Sequence, residues 1–220
     1  MSKSWGNVIN PDDVVKLYGA DSLRVFEMFL GPFESHLPWS TEGIIGSRRF
    51  IERVWRLAAK LTDGESDKAV QKILHKTIKK VTEDIQNFAF NTAVSSLMIC
   101  LNEFEKSAVS IDDFKSFLQL LAPFAPHVTE ELWSRLGESK SIHLSDWPTY
   151  NPKLLIEDEV TIGVQINGKV RAELTVAADA TKDSIESAAL AIPRIQEYLA
   201  GKTVIKVIVI HGKVINIVIQ

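Results

Sequence analysis

Ser2-Lys3-Ser4, followed by Gly6-Asn7, sets one ammonium between two hydroxyls on a stretch that glycine leaves free to turn. That composition suits a grip on phosphate oxygens, although a tripeptide this short also arises by chance. A second group of cations is larger. Residues 44–80 hold 10 basic against 4 acidic residues, between segments of opposite sign: 3 against 6 in residues 1–43 and 4 against 10 in residues 81–152. Residues 153–220 balance at 8 against 8, so a net charge of −3 conceals a concentrated basic block. A nucleic acid responds to the local field, which makes the block a candidate polyanion-facing surface. A solvated helix face is the alternative that charge alone leaves open.

Other chemistries lack their residues. His127-Val128-Thr129-Glu130-Glu131 puts a histidine and a carboxylate one turn apart, but no second histidine stands at ligand spacing, and no metal site is expected. His36, His75, His143 and His211 are scattered, and no Ser/His/Asp order suggests a hydrolase. Cys100, the single cysteine, excludes an internal disulfide and lies in an apolar run that makes it a core thiol. Trp133 and Trp147 read as packing residues rather than base-stacking platforms. No phosphate-binding Walker loop or dinucleotide fingerprint is present.

The elements that must position the cations are helical. From Ile44 to Leu61, Ile51, Val54, Trp55, Ala58 and Leu61 recur on one side and Arg49, Arg53, Arg56 and Lys60 on the other. A second long helix, about Lys68 to Phe88, turns Val70, Ile73, Leu74, Val81, Ile85 and Phe88 inward and Lys68, Lys72, Lys76 and Lys79 outward. Upstream, Pro11-Asp12-Asp13 starts a short helix with Val14, Val15, Leu17 and Tyr18 on its apolar side, and Gly19 ends it. Another begins near Asp21, whose carboxylate is placed to cap it, and stops at Gly31-Pro32. Helices near Thr92–Phe104, Asp112–Leu121 and Pro126–Leu136 complete an up-and-down bundle. Residues 137–155, rich in Gly, Ser, Pro and Asn, read as a boundary or ordered linker.

Beyond it the period changes. Val160, Ile162, Val164 and Ile166 alternate with polar or small residues, Asn167-Gly168 supplies a hairpin turn, and Val170, Ala172, Leu174 and Val176 return. A helical stretch from Thr181 to Leu199, interrupted at Pro193, precedes strands at Val204–Ile210 and Val214–Ile219. The fold class is therefore α+β, a mainly helical bundle followed by a small β-β-α-β-β domain. With 220 residues, 45% hydrophobic, and a mean hydropathy of +0.04, the chain is long enough for one large domain or two small ones. No apolar run reaches the roughly 20 residues of a membrane span, and no signal-like core follows Met1. A cytoplasmic setting with no membrane partner is expected.

Met1-Ser2-Lys3-Ser4-x-Gly6-Asn7-Val8, Pro11 and Tyr18-Gly19-Ala20-Asp21-x-x-Arg24 resemble the KMSKS loop and stem-contact region of class I aminoacyl-tRNA synthetases of the aliphatic subgroup. Pro32-x-Glu34-x-x-Leu37-x-Trp39-Ser40-x-x-Gly43-x-x-Gly46-x-x-Arg49-Phe50-x-x-Arg53-Val54-Trp55 resembles the leucyl-tRNA synthetase family in particular. Phe90-Asn91-Thr92-Ala93, Leu121-Ala122-Pro123-Phe124-Ala125-Pro126-His127, Glu130-Glu131-Leu132-Trp133 and Gln165-Ile166-Asn167-Gly168-Lys169-Val170-Arg171 continue the likeness, and the tail resembles that of the bacterial type. The family's loop opens with a lysine, whereas this chain opens one residue later. The nucleotide-binding fold with its HIGH motif, the leucine pocket and the editing domain lie upstream in the family. The chain therefore resembles the family's C-terminal part.

The resemblance implies three regions: 1–43 as KMSKS loop and stem-contact region, 44–152 as an anticodon-binding type of bundle, and 157–220 as a small tRNA-binding domain. It implies ATP as substrate, carried with Mg²⁺, with Ser2, Lys3 and Ser4 at the ATP and Lys3 catalytic. It also implies tRNA(Leu) as partner, besides the N-terminal catalytic and editing parts of the same enzyme. Candidate tRNA contacts are Arg49, Arg53, Arg56, Lys60, Lys72 and Lys79 on the bundle, and Lys169, Arg171, Lys202, Lys206 and Lys213 on the tail. By itself the chain is expected to be inactive in leucine activation. A non-catalytic tRNA-binding module and the smaller subunit of a split synthetase are the alternatives.

Overall fold

The computed structural model describes residues 8–32, 34–35, 38–155, 159–178, 180–210 and 213–220, so Ser2, Lys3, Ser4, His36 and His211 lie outside the described residues. The chain divides into two compact units, Met1–Leu155 and Ile156–Gln220. The first is helical and the second is a four-stranded sheet with two helices, which is the α+β class expected. No helix among the described residues is long and apolar enough to cross a membrane.

In the first unit, α1 (Pro11–Tyr18) starts under an Asn10 side-chain cap, with Pro11 at its first position and Asp12 and Asp13 in its first turn. Val14 is its buried residue; Val15 and Leu17, expected on the packed side, are exposed. The turn to α2 (Ala20–Phe29) runs through Gly19 at φ 90°, a backbone conformation that costs a side chain dearly and a glycine almost nothing. The sequence expectation that Asp21 caps α2 is corrected: Gly19 occupies the cap position and no side chain bonds there. Its carboxylate reaches another helix instead, as described below.

The helix expected at 44–61 runs earlier and shorter: α3 spans Thr41–Leu57, and Ala58–Lys60 tighten into a 3₁₀ turn. The Ser40 hydroxyl accepts the Gly43 N–H at 3.1 Å and so sets its start. Buried on α3 are Ile44, Ser47, Phe50, Val54 and Leu57. Ile44 joins Val14 and Phe26 in a small core where α1, α2 and α3 meet. Gly43 lets the Phe26 ring lie against the helix backbone; a β-carbon there would stand 2.6 Å from it.

Helices α4 (Lys68–Gln86) and α5 (Phe90–Phe104) form an antiparallel hairpin, with α6 (Ile111–Leu121) and α7 (Pro126–Arg135) packed beside it. The main core holds Val54, Leu74, Val81, Leu97, Phe104, Phe114 and Phe117 among others. Cys100 is fully buried there, and burial pushes its thiol up to about 12, so it behaves as an inert core group. Phe88, assigned inward by periodicity, lies beyond the end of α4 at φ 56° and is 63% exposed. The α-helical period no longer applies where the helix has stopped.

Residues 137–155 are an ordered strap on the bundle. Glu130 accepts from the Ser141 hydroxyl and the Ile142 N–H, Trp133 donates to the Lys140 carbonyl, Gln119 donates to Ser145 and Asp146, and Trp147 donates to Thr82. Trp133 is buried as expected, whereas Trp147 is 39% exposed.

The second unit carries β1 (Glu159–Ile166), β2 (Lys169–Ala177), α8 (Lys182–Leu190), α9 (Pro193–Leu199), β3 (Val204–Ile210) and β4 (Val214–Ile219). Sheet order is β2-β1-β4-β3, with β1 and β4 parallel and both hairpins antiparallel. Asn167 (φ 47°) and Gly168 (φ 80°) make the expected tight turn. The Asn167 amide also exchanges two hydrogen bonds with the Ile219 backbone, at 3.0 and 3.2 Å, which ties the β1–β2 hairpin to β4. Ile162, Val164, Ile166, Ile215 and Ile217 turn one face of the sheet onto Ile185, Ala189 and Ile195 of the helices.

Candidate nucleic-acid interface

At about 100° per residue, the buried set of α3 occupies one arc of the helix, and Arg53 and Trp55 fall at its two borders. Arg49 and Arg56 lie on the exposed arc with Arg48 and Glu52. Arg53 turns inward. Its Nη2 donates to Asn102 Oδ1 at 2.6 Å and pairs with Glu105 Oε2 at 2.5 Å, while its Nε donates to Glu105 Oε1 at 3.0 Å. This bidentate hydrogen bond holds the Arg53 guanidinium above its ordinary value and the Glu105 carboxyl below its own. The periodic stripe of four cations is thus corrected to exposed Arg49, Arg56 and Lys60, plus one cation tied into the protein.

Trp55 is corrected as well. It is 38% exposed, and the Arg135 guanidinium stacks 4.6 Å from its ring centroid. Arg48 pairs with Glu52 at 2.8 Å and donates to the Tyr18 carbonyl at 3.0 Å. Lys60, beyond the α-helical part, keeps its exposure without keeping the helical spacing. Arg56 and Lys60 lie near enough to Glu105 for their charges to add to its lowered carboxyl, after the Arg53 hydrogen bond.

On α4, Lys68 and Lys79 are exposed, Lys72 and Lys76 half-buried, and Lys79 stands 4.0 Å from Glu83. Lys80, not singled out by sequence, pairs with the buried Asp84. Lys72 and Lys76 face Ile99, Asn102 and Glu103 of α5 and Lys106 in the turn just beyond its end, and together they line a cleft. Sequence reasoning passed over that group, although the i, i+3, i+4 spacing of Ile99, Asn102 and Glu103 was legible.

In the second unit, Lys169, Lys202, Lys206 and Lys213 are exposed. Arg171 is not a free surface cation: it is half-buried, its guanidinium lies 4.7 Å from the Tyr198 ring centroid, and its Nε is buried without a hydrogen-bond partner. Its charge is engaged by the ring of Tyr198 on α9. Among the described residues, no three of His, Cys, Asp and Glu converge on a point where a metal ion could sit.

Residues 67–186 match the family model described as the anticodon-binding domain of tRNA ligase, more than half of the chain. Among solved structures, the chain matches the crystal structure of the ternary complex of Agrobacterium radiobacter K84 agnB2 LeuRS with tRNA and LeuAMS. The TM-score is 0.83 and 28% of residues are identical, over 100% of this chain and 31% of that one. The chain thus spans about a third of the length of the protein it resembles.

Proposed function

The chain belongs to the family of tRNA-ligase anticodon-binding domains, and from that membership we propose that it serves as the C-terminal, tRNA-binding part of a leucyl-tRNA synthetase. The observation that carries this reading is the likeness along the whole chain, at 28% identity, to a LeuRS in complex with tRNA. The exposed cations fit it. Arg49, Arg56, Lys60, Lys68 and Lys79 on the bundle and Lys169, Lys202, Lys206 and Lys213 on the tail are exposed cations, suited to neutralising phosphates without reading sequence. The specific partner of this reading is tRNA(Leu), and the setting is cytoplasmic.

In the complete enzyme the leucine carboxylate attacks the α-phosphate of ATP, giving leucyl-adenylate and pyrophosphate, and the leucyl group then passes to a hydroxyl at the 3′ end of tRNA with AMP as the leaving group. Lys3 is the residue proposed to meet the triphosphate as negative charge develops on it, with Ser2 and Ser4 shaping the same loop by hydrogen bonds. Mg²⁺ would arrive with the ATP, held by phosphate oxygens. These 220 residues contain no HIGH sequence, so in this reading leucine-dependent ATP–pyrophosphate exchange draws on the N-terminal catalytic part of the enzyme, and the catalytic and editing parts are the chain's partners.

Two assays test the proposal together. The chain should bind a tRNA(Leu) transcript with strongly salt-dependent affinity, and should show exchange activity only when supplied with an N-terminal synthetase portion. Exchange by the chain alone, or indifference to tRNA at low salt, would overturn the reading. The smaller-subunit alternative is favoured if separately produced halves reconstitute exchange on mixing.

A further inference from the structure

Helices α4 and α5 run antiparallel, as the approach of Asp67 to the Ala108 N–H at one end and the short connection at the other require. Each lends one stripe of side chains to a cleft of about 420 Å³. From α4 come Ala69, Lys72, Ile73 and Lys76; from α5 come Ile99, Asn102 and Glu103, and Lys106 joins them from the turn after α5. The cleft lies toward the end of the hairpin away from the α4–α5 turn. Its floor is apolar, and Ile99 is 57% exposed there, an uncommon state for an isoleucine on a helix that otherwise buries its aliphatic groups.

The rim is cationic. Three lysines face one carboxylate, Glu103, which stands 3.4 Å from Lys106. Between floor and rim, Asn102 is held in one orientation because its Oδ1 accepts from Arg53 at 2.6 Å. The Asn102 amide therefore turns two N–H donors away from Arg53. Arg53 owes its own position to Glu105, so one ion pair fixes the amide of the cleft.

We propose that this cleft receives a single unpaired nucleotide of the bound tRNA. Its base lies on Ile73 and Ile99, a base carbonyl accepts from Asn102, and its flanking phosphates lie beside Lys72, Lys76 and Lys106. The proposal rests on the tRNA-binding reading and adds to it a site. Charge decides the occupant's class, since an aliphatic floor ringed by a net positive rim suits a flat, weakly polar ring carried on a polyanion. Extent decides against an acidic peptide: a docked helix needs apolar anchors over at least two turns, and this floor offers three small or aliphatic residues.

The test uses the 220-residue chain, an unmodified tRNA(Leu) transcript and a fully paired RNA duplex with the same number of phosphates. Ile99→Ser, at an exposed position, should leave the thermal midpoint unchanged. It should weaken transcript binding about tenfold, through lost apolar burial, at constant slope of log Kd against log salt, and leave duplex binding unchanged. Lys106→Gln should instead flatten the salt slope, by about one phosphate's worth. Transcript binding unaffected by Ile99→Ser, with Arg49→Gln and Arg56→Gln still weakening it, would overturn the cleft and leave the parent reading intact. Equal losses for duplex and transcript would overturn the single-nucleotide occupant, and displacement of the transcript by an acidic helical peptide from the wild-type chain but not from Ile99→Ser would assign the cleft to protein. A wild-type chain that binds neither RNA overturns the parent reading itself.

Discussion

The Asp21 carboxylate accepts the backbone N–H of Val128 at 2.7 Å and that of His127 at 3.2 Å, so a residue of α2 caps the first turn of α7, more than a hundred positions away. Two orphan donors at a helix N-terminus meet a negative charge, and the helix dipole adds to the attraction. Nearby, Arg24 donates to the Pro123 carbonyl at 2.7 Å. These bonds fasten the segment that follows the N-terminal Ser-Lys-Ser sequence to the helical bundle. Asp21 is 7% exposed, so its loss strips two N–H groups at the start of α7 of a buried partner. Asp21→Ala should cost about 2 kcal/mol in denaturant unfolding, and Asp21→Asn less, because one oxygen still accepts. Equal midpoints for wild type and Asp21→Ala would show the cap to be replaced by water.

Gly43→Ala tests packing against helix propensity. Alanine at this position of α3 should gain up to about 1 kcal/mol of intrinsic propensity. Its β-carbon would stand 2.6 Å from Phe26, whose ring is buried and set edge-on to Trp39 with centroids 5.1 Å apart. Overpacking of this kind costs about 1–3 kcal/mol, so a net loss of stability is expected, read as a lower thermal midpoint. A rise in the midpoint would mean that Phe26 has room to move.

Arg53 and Arg49 should separate stability from binding. Arg53→Gln breaks the bidentate pair with Glu105 and should cost about 1 kcal/mol of stability, the upper end for partly exposed pairs, with little direct change in the salt slope of tRNA binding. Arg49→Gln should do the reverse. The Glu105 carboxyl is held low in the fold, so the contribution of the pair is present above the ordinary glutamate range near 4.5 and disappears as pH falls through the lowered value. If Arg53→Gln flattened the salt slope as much as Arg49→Gln, the pair would have to open on RNA.

His75 should make the bundle sensitive to mild acid. Its Nδ1 accepts the Asn151 N–H at 3.1 Å, which requires that nitrogen to be unprotonated. Burial lowers its pKa below the ordinary 6.5, against a smaller opposing effect of Asp113. A group lowered in the fold contributes stability that is complete above its unfolded value and is lost as pH falls through the folded one. Unfolding free energy should therefore decline below about pH 6.5, and His75→Asn, which keeps an acceptor that does not titrate, should remove that part of the decline. An unchanged pH profile in His75→Asn would place the sensitivity elsewhere.

Much of the architecture was readable from residue order, because the signals involved are local. Pro11 after Asn10, the Asn167-Gly168 turn, the break at Pro193 and the alternation along β1 each act through a few neighbouring bonds. The basic block of residues 44–80 and the buried state of Cys100 were equally plain from composition and context.

What the tertiary structure decided are the choices that periodicity leaves degenerate. A residue at the border of a helical face can turn either way, and a distant partner settles it: Glu105 and Asn102 draw Arg53 inward, while Arg135 covers Trp55 at the surface. A carboxylate near a helix start can cap its own helix or another, and Asp21 serves α7 because Gly19 already ends the preceding turn. The opposition of Ile73 on α4 to Ile99 and Asn102 on α5 follows from the register of an antiparallel hairpin, which side-chain packing sets and local spacing does not encode. Sequence alone therefore determined which residues could carry charge and where helices and strands form. Packing, through contacts between residues far apart in the chain, determined which charges are spent inside the protein and which are left for a partner.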